Sequence, residues 1–242
     1  MIKIKNVSKH FGGVKAVNHC DFEIKKGKIN ALIGPNGSGK TTLFNVISNL
    51  LKSDSGEIYL DGEKISGIGD FKVSRLGISR TFQEVRFFRN LSIKDHLEIA
   101  LREDDEQLFK GLFEKEIDFK ERIQEVLDLV GLNKSLNTLA QDLSYGQKKL
   151  LDLAMAIIKP HKILMLDEPV AGVNPKLRKK IQEIFKTLNK KGETILIIEH
   201  DMNFIMGIAD HVFVIDEGAI IAQGKPKAIQ NNKKVLMAYL GE

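Results

Sequence analysis

Short apolar runs mark the predicted strands along this chain of 242 residues. Four runs alternate between apolar and polar positions or are bordered by turn residues, as strands with one buried face do. They cover 2–5, 21–24, 56–60 and 212–215. Three further runs, 29–33, 163–166 and 194–198, are continuously apolar, which is typical of parallel strands covered on both faces. The pattern predicts an α/β fold with a mostly parallel sheet and an antiparallel flank.

Helical patterns dominate from about residue 91 to residue 158. Within 119–130 the apolar positions recur at helical spacing: Ile123, Val126, Leu127 and Val130. Ser144 followed by Gln147 is a capping-box pattern that predicts the start of a second helix. Asn174 and Pro175 predict the start of a later helix, which Gly192 closes. The middle of the chain is therefore expected to form a helical subdomain.

Composition and charge exclude several classes of protein. A content of 43% hydrophobic and 29% charged residues with only 5 prolines is globular, not disordered or fibrous. Since neither a long apolar span nor a signal peptide is evident, a soluble cytoplasmic protein is expected. The lone Cys20 predicts a small core residue and excludes an intrachain disulfide. The net charge of +5 is scattered over many clusters, so we interpret it as solvated helix faces and expect no nucleic acid partner.

A phosphate-binding loop is the clearest chemical motif. The stretch Gly34-Pro35-Asn36-Gly37-Ser38-Gly39-Lys40-Thr41 fits G-x-x-x-x-G-K-[ST] and lies between a predicted strand and a predicted helix. In such a loop the backbone N–H groups surround the β- and γ-phosphates, the lysine supplies positive charge and the threonine hydroxyl binds Mg²⁺. Together with Thr42, the loop predicts a nucleotide site. The alternative, a glycine-rich turn, does not account for the strand and helix on its two sides.

Two adjacent carboxylates follow the predicted strand 163–166. Asp167 and Glu168 would lie at the sheet edge where ligands bind in open parallel sheets. Because they are neighbours at a strand end, only one of them can face a metal ion. We assign Asp167 to the metal and Glu168 to the attacking water. Taken alone the pair is weak evidence, since strands commonly end in charged residues before a proline turn.

A third motif carries a resemblance to a known family. Leu143-Ser144-Tyr145-Gly146-Gln147 resembles the L-S-G-G-Q signature of the nucleotide-binding subunits of ATP-binding-cassette (ABC) transporters, with tyrosine in the third place. The resemblance covers essentially the whole chain. It implies a P-loop NTPase core over a single domain, 1–242, with an inserted helical subdomain at about 88–158. It also implies that Ser144, Gly146 and Gln147 bind the ATP held by an opposite subunit, beyond the role of Ser144 as a helix cap.

Three further positions are similar to functional positions of that family. The resemblance implies that Phe11 stacks on adenine, that Gln83 reaches the metal and the attacking water, and that His200 binds the γ-phosphate. The structural alternatives are a core aromatic for Phe11, a surface-loop glutamine for Gln83 and, for His200, a strand-end histidine that only caps the helix of Asp201. Asn174 stands where many members have aspartate, in a loop that shapes the contact between subunits.

The details look most like the LivG-type ATPase of branched-chain amino-acid importers. The resemblance implies a catalyst of ATP hydrolysis that uses Mg²⁺, has Glu168, His200 and Gln83 as catalytic residues, and ligates the metal through Thr41, Gln83 and Asp167. The implied partners are transmembrane permease subunits, a second ATPase subunit in a homo- or heterodimer and, for an importer, a substrate-binding protein. The expected location is the inner face of the cell membrane. The alternatives are a lipopolysaccharide-export ATPase, a soluble ABC ATPase acting on DNA or ribosomes, and a switch that does not hydrolyse ATP.

Overall fold

The structure, a computed structural model, describes residues 1–81, 87–101 and 112–240, with backbone only for 112–119 and 240. The strands are β1 Ile2–Phe11, β2 Val14–Ile24, β3 Ile29–Ile33, β4 Ser55–Leu60, β5 Glu63–Lys64, β6 Ile78–Arg80, β7 Ile163–Asp167, β8 Thr194–Ile198, β9 His211–Asp216 and β10 Ala219–Gly224. The helices are α1 Lys40–Ile47, α2 Asp70–Arg75, α3 Ile93–Leu101, α4 Leu112–Val130, α5 Tyr145–Ile158, α6 Pro175–Lys190, α7 Met202–Met206, α8 Pro226–Gln230 and α9 Lys233–Leu240. A 3₁₀ turn, Ala140–Asp142, precedes α5.

The larger sheet has six strands in the order β10-β9-β3-β8-β7-β6. Strands β9, β3, β8, β7 and β6 run parallel, and β10 pairs antiparallel with β9. Every residue of β3, β7 and β8 is buried, as the continuously apolar runs predict. The predicted parallel core is confirmed, and its carboxyl ends meet at one edge.

The smaller sheet is antiparallel, in the order β2-β1-β4-β5. Here the alternating runs predict only parts of β1 and β2, which are ten and eleven residues long. The pairing of β1 with β2 shifts register three times, and Asn6 and His19 both have φ of +50°. Such irregularities interrupt the alternation of side chains, so the full strands are not visible as a period of two.

Two hydrophobic clusters pack on the sheets. One contains buried residues of α3, α4, α5 and α6 together with β3, β7 and β8. The other lies between the two sheets and contains buried residues of α1, of β1, β2 and β4 in the smaller sheet, and of β3, β7, β8 and β9 in the larger sheet. The predicted positions Ile123, Val126, Leu127 and Val130 all lie in the first cluster. Cys20 lies in the second, and burial raises the pKa of its thiol to about 11.

Both predicted helix starts have the expected caps. The Gln147 N–H donates to Ser144 Oγ at 3.4 Å and the Ser144 N–H donates to Gln147 Oε1 at 3.0 Å, which completes the capping box. Asn174 Oδ1 accepts from the Leu177 N–H at 2.9 Å. Among the described residues, no helix is both long and apolar enough to cross a membrane.

The stability of the fold depends on pH through the buried side chain of His161. Burial opposes the charged form of His161, but its ring nitrogens face two acceptors, Glu193 Oε2 at 3.0 Å and the Lys159 carbonyl at 2.8 Å. These acceptors outweigh burial and raise the pKa of His161 above its ordinary value. The associated stability is therefore fully present below about pH 6.5 and is lost as the pH rises through the raised pKa.

We expect Glu193→Gln to lower the free energy of unfolding by about 1–2 kcal/mol near pH 5.5, because the charged imidazole loses its carboxylate. The difference from the wild type should shrink as the pH rises through the raised pKa of His161, because the imidazole then loses its charge in both proteins. Urea unfolding between pH 5.5 and 8.5 measures this, with Glu63→Gln on the exposed strand β5 as the control. A difference that stays constant across this range contradicts the prediction.

Candidate functional site

The carboxyl ends of the parallel strands surround a cleft of about 660 Å³. Its walls come from the start of β2, the loop between β3 and α1, the residue after β7, and the turn between β9 and β10. The lining residues are Val14, Lys15, Ala16, Asn18, Asn36, Gly37, Gly39, Lys40, Thr41, Thr42, Glu168, Glu217 and Gly218. The position agrees with the general location of ligand sites in open α/β sheets.

The loop between β3 and α1 has the conformation that its glycines allow. Gly39 has φ of +103°, and a Cβ there would be 2.1 Å from the Ala16 carbonyl oxygen, so a side chain cannot be accommodated. Lys40 folds back over the loop, and its Nζ donates to the carbonyls of Gly34 at 2.8 Å and Pro35 at 2.6 Å. Ser38 Oγ is buried and has no hydrogen-bond partner among the described residues. The loop and the start of α1 therefore border the cleft with the polar side chains of Asn36, Lys40, Thr41 and Thr42.

Asp167 ends β7 as a buried carboxylate, 2% exposed. Its N–H donates to Thr81 Oγ1 at 3.1 Å, and its Oδ2 lies 3.8 Å from Nη2 of Arg80. Burial raises its pKa, while Arg80 acts in the opposite direction. Within the described part of the chain, Asp167 Oδ1 is buried without a partner. One carboxylate oxygen is therefore available to a ligand.

Glu168 follows with an unusual backbone conformation, φ of +48°. Its N–H donates to the Ile198 carbonyl at 3.0 Å, which ties the residue to the end of β8. Its Oε1 lies 3.8 Å from Nδ1 of His200, whose side chain is 59% exposed. Glu168 thus combines a strained backbone with a partly exposed carboxylate in the cleft, beside an exposed histidine. Such a carboxylate is suited to act on a bound ligand.

The signature residues lie in a different place. Ser144, Gly146 and Gln147 line a second pocket between the starts of α5 and α6, and none of them lines the cleft. The signature motif, which the resemblance places against the ATP of an opposite subunit, is therefore separate from the P-loop of its own chain.

Phe11 is a predicted site residue that does not line the cleft. Phe11 is the last residue of β1, is half exposed and pairs with Val14, which does line the cleft. Gln83 lies outside the described residues.

Sequence reasoning missed three charged residues near the site, of which Glu199 and Lys149 are buried and Arg80 is largely buried. The Arg80 guanidinium donates to Asn45 Oδ1 at 2.9 Å and Ser48 Oγ at 2.7 Å, linking α1 to the end of β6. Glu199, 1% exposed, accepts from the Val170 N–H at 3.0 Å. Lys149, 6% exposed, donates to the Glu168 carbonyl at 3.4 Å. The signal that could have found Lys149 is a lysine at a core position of an amphipathic helix.

The residues at this edge fit a divalent cation. The buried carboxylate oxygen of Asp167, which has no partner among the described residues, and the hydroxyl of Thr41 in the cleft are the hard oxygen donors that Mg²⁺ prefers. Among the described residues, no group of three or more His, Cys, Asp or Glu side chains could hold a metal by itself.

A P-loop at the end of a central parallel strand, next to two carboxylates, defines a nucleotide-binding ATPase. The chain belongs to the ABC transporter family, which matches residues 17–171, and the branched-chain amino acid ATP-binding cassette transporter family matches 219–242. It is an ATP-binding, ATP-hydrolysing subunit of an ABC transporter. The resemblance seen in the motifs is confirmed.

Named relatives and solved structures agree over the whole chain. The branched-chain amino acid transport ATP-binding protein LivG of Escherichia coli is 39% identical, covering 100% of this chain and 98% of LivG. BraF of Pseudomonas aeruginosa, a protein of the same description, is 37% identical with the same coverage. A nucleotide-free ATP-binding cassette of an ABC transporter matches with a TM-score of 0.88 at 32% identity, covering 100% of this chain and 99% of that one. A cassette in its ADP conformation matches with a TM-score of 0.87 at 34% identity and the same coverage.

Proposed function

We propose that this subunit powers the uptake of branched-chain amino acids through a separate membrane permease. The observation that carries the proposal is that Glu168 lines the same cleft as Asn36, Gly37, Gly39, Lys40, Thr41 and Thr42 of the P-loop region. The substrate class is supported by the names of the relatives and by the family matched at 219–242.

The P-loop binds the phosphates of ATP in this proposal. Backbone N–H groups within residues 36–39 and the N-terminus of α1 surround the phosphate oxygens. Lys40 leaves the Gly34 and Pro35 carbonyls to contact the β- and γ-phosphates, because phosphate oxygens carry more negative charge than carbonyls. Thr41 and Asp167 hold Mg²⁺, which supplies charge stabilisation on the phosphates when it is bound. Phe11, beside the cleft, stacks on the adenine.

Hydrolysis is assigned to the groups at the ends of β7 and β8. Glu168 accepts a proton from the attacking water, since its carboxylate faces the cleft and Asp167 is buried beside it. His200, 3.8 Å from Glu168, binds the γ-phosphate and orients it. Gln83 completes the set from the segment that leads into the helical region.

A second copy of the cassette supplies the other half of each ATP site. The separation of Ser144, Gly146 and Gln147 from the cleft supports this arrangement, since these residues can reach ATP only from another subunit. The N-terminus of α5 presents first-turn N–H groups outside the capping box to the γ-phosphate held by the partner. A relative with 26% identity and a TM-score of 0.79, covering 93% of this chain, has been solved as a dimeric post-hydrolysis state bound to ADP and phosphate.

The proposed assembly lies on the inner face of the cell membrane, where ATP is available. The chain acts as one domain, 1–242, whose helical subdomain at about 88–158 contacts the permease. A substrate-binding protein on the other side of the membrane delivers the amino acid. The shared hydrophobic cluster of α3, α4, α5 and the parallel strands supports a single domain.

Reconstitution tests this function. The subunit is purified with the membrane proteins that accompany it, and the complex is placed in vesicles with ATP on the side of the cassette. We expect ATP-dependent movement of radiolabelled leucine, isoleucine or valine, absent when the cassette carries Lys40→Ala. Co-purification with nucleic acid or ribosomes, or a complex that moves none of the three amino acids, contradicts the proposal.

The contact with the permease can be tested at two adjacent phenylalanines. Phe88 is 67% exposed, whereas Phe87 is half-buried with its ring 5.2 Å from that of His96. We expect Phe87→Ser with Phe88→Ser to spare ATP binding and to weaken association with the permease, because an exposed apolar side chain at this position is suited to an interface. Co-purification from detergent measures the association.

The single change Phe88→Ser isolates the exposed ring from the packed one. It should weaken association nearly as much as the double change, and Met237→Ser on α9, 73% exposed, serves as the control. If the double variant still co-purifies fully, the segment contributes only to packing.

A further inference from the structure

Tyr145, in the third place of the signature motif, contacts the loop that follows β7. Its hydroxyl donates to the Ala171 carbonyl at 3.0 Å. The ring also lies against Gly172, where an added Cβ would be 3.2 Å from the tyrosine hydroxyl. Gly172 has φ of +70°, so glycine suits both the backbone and the close contact. The side chain is therefore fitted to the loop 168–172 of its own chain.

Lys149 reaches the same loop from one helical turn further along α5. Residues 145 and 149 lie on one face of the helix, and the Lys149 ammonium is 6.0 Å from the Tyr145 ring centroid. This buried ammonium donates to the carbonyl of Glu168. The loop 168–172 is thus held from α5 at its first and fourth residues.

The bond from Lys149 acts on a strained residue. Glu168 has φ of +48°, a region that residues other than glycine seldom occupy. The same Glu168 carbonyl also accepts from the Ala171 N–H at 3.2 Å, and the Glu168 N–H is tied to β8. A backbone in this conformation persists only where surrounding bonds maintain it. The direction of the Glu168 carboxylate therefore depends on where α5 holds the loop.

We propose that Tyr145 and Lys149 are positioning residues that link the N-terminus of α5 to the carboxylate of Glu168 in the same chain. This inference rests on the proposed function, in which the partner's ATP lies against Ser144 at that N-terminus. Nucleotide bound there favours one position of α5, and the helix carries Tyr145 and Lys149 with it. The loop 168–172 follows, so ATP in one site of the dimer sets the catalytic geometry of the other.

The first test removes one hydroxyl. Tyr145→Phe keeps the ring against Gly172 but loses the bond to Ala171, so the folded cassette is retained. We expect kcat for ATP hydrolysis to fall about three- to tenfold, the range for one lost hydrogen bond, with KM changed less than twofold. Tyr59→Phe is the matched control, because the Tyr59 hydroxyl also donates a bond, to Glu57 at 2.6 Å on the smaller sheet. If Tyr145→Phe hydrolyses ATP like Tyr59→Phe, the inference is wrong.

The second test asks in which chain Tyr145 acts. Two differently tagged chains are combined, and one carries Glu168→Gln so that both sites hold ATP but only the other chain uses its Glu168 for hydrolysis. Tyr145→Phe is then placed in either chain. The inference predicts that the rate falls when the change is in the chain with the intact Glu168, where Tyr145 and the working carboxylate are together. A fall only when the change is in the Glu168→Gln chain indicates direct contact of Tyr145 with the nucleotide and overturns the inference.

Measurements on the unchanged protein distinguish a failure of the proposed function from a failure of this inference. If the unchanged homodimer neither binds nor hydrolyses ATP, the proposed function fails and this inference fails with it. If the parent hydrolyses ATP and the position of Tyr145→Phe has no effect, only the link through Tyr145 is refuted.

Discussion

Lys40→Ala is expected to abolish the binding of ATP with Mg²⁺ while leaving the fold intact. The ammonium is the positive side chain inside the P-loop, where Lys40 is 8% exposed and lines the cleft proposed to hold the β- and γ-phosphates. Alanine removes that positive charge from a site that is suited to binding a strongly negative ligand. Isothermal titration calorimetry with Mg-ATP measures the loss, and thermal unfolding verifies the fold.

Lys52→Ala is a suitable control for this change. Lys52 is exposed in the segment just after α1, so its removal alters the net charge equally without touching the loop. It should bind ATP like the wild type. Unchanged affinity in Lys40→Ala would show that the cleft does not bind the phosphates in the way proposed.

Glu168→Gln is expected to slow ATP hydrolysis by about 10²- to 10⁴-fold, the contribution of a well-placed general base. Glutamine keeps the size and hydrogen bonding of the side chain but loses its basicity. ATP binding should survive, since the P-loop contacts do not involve this carboxylate. A phosphate-release assay measures the rate, and Glu63→Gln on the exposed strand β5 serves as the control.

The same variant should trap the dimer. Each ATP would be held between residues 34–41 of one chain and residues 144–147 of the other, so unhydrolysed ATP keeps the two chains together. Size-exclusion chromatography should show Glu168→Gln as a dimer with ATP and as a monomer with ADP, whereas the wild type separates after turnover. A Glu168→Gln protein that hydrolyses ATP normally would place the catalytic base on another residue.

The sequence alone determined the elements whose signals are local. The continuous apolar runs of β3, β7 and β8, the glycines of the loop after β3, and the capping box at Ser144 each depend on residues close together in the chain. Their physical causes, burial on both faces, positive φ and capping of orphan N–H groups, act within a few residues. That is why the fold class, the P-loop and the two helix starts agree with the structure.

Other features had no clear local signal. Strand β6 is three residues long and exists through its pairing with β7, so no periodicity precedes it. The interrupted alternation of β1 arises from register shifts against β2, which are properties of the pair and not of one strand. Short edge elements and bulges are therefore decided by their partners.

Only the tertiary structure decided how polar and charged side chains meet around Asp167 and Glu168. The bond from Tyr145 spans 26 residues and the bond from Lys149 spans 19, and Arg80 reaches Asp167 only because β6 lies beside β7. Sequence motifs identified Asp167, Glu168 and Ser144 by type and spacing, but they did not show that α5 holds the loop carrying Glu168. Buried polar groups must find partners wherever the packed elements bring them, and that choice is made by the fold as a whole.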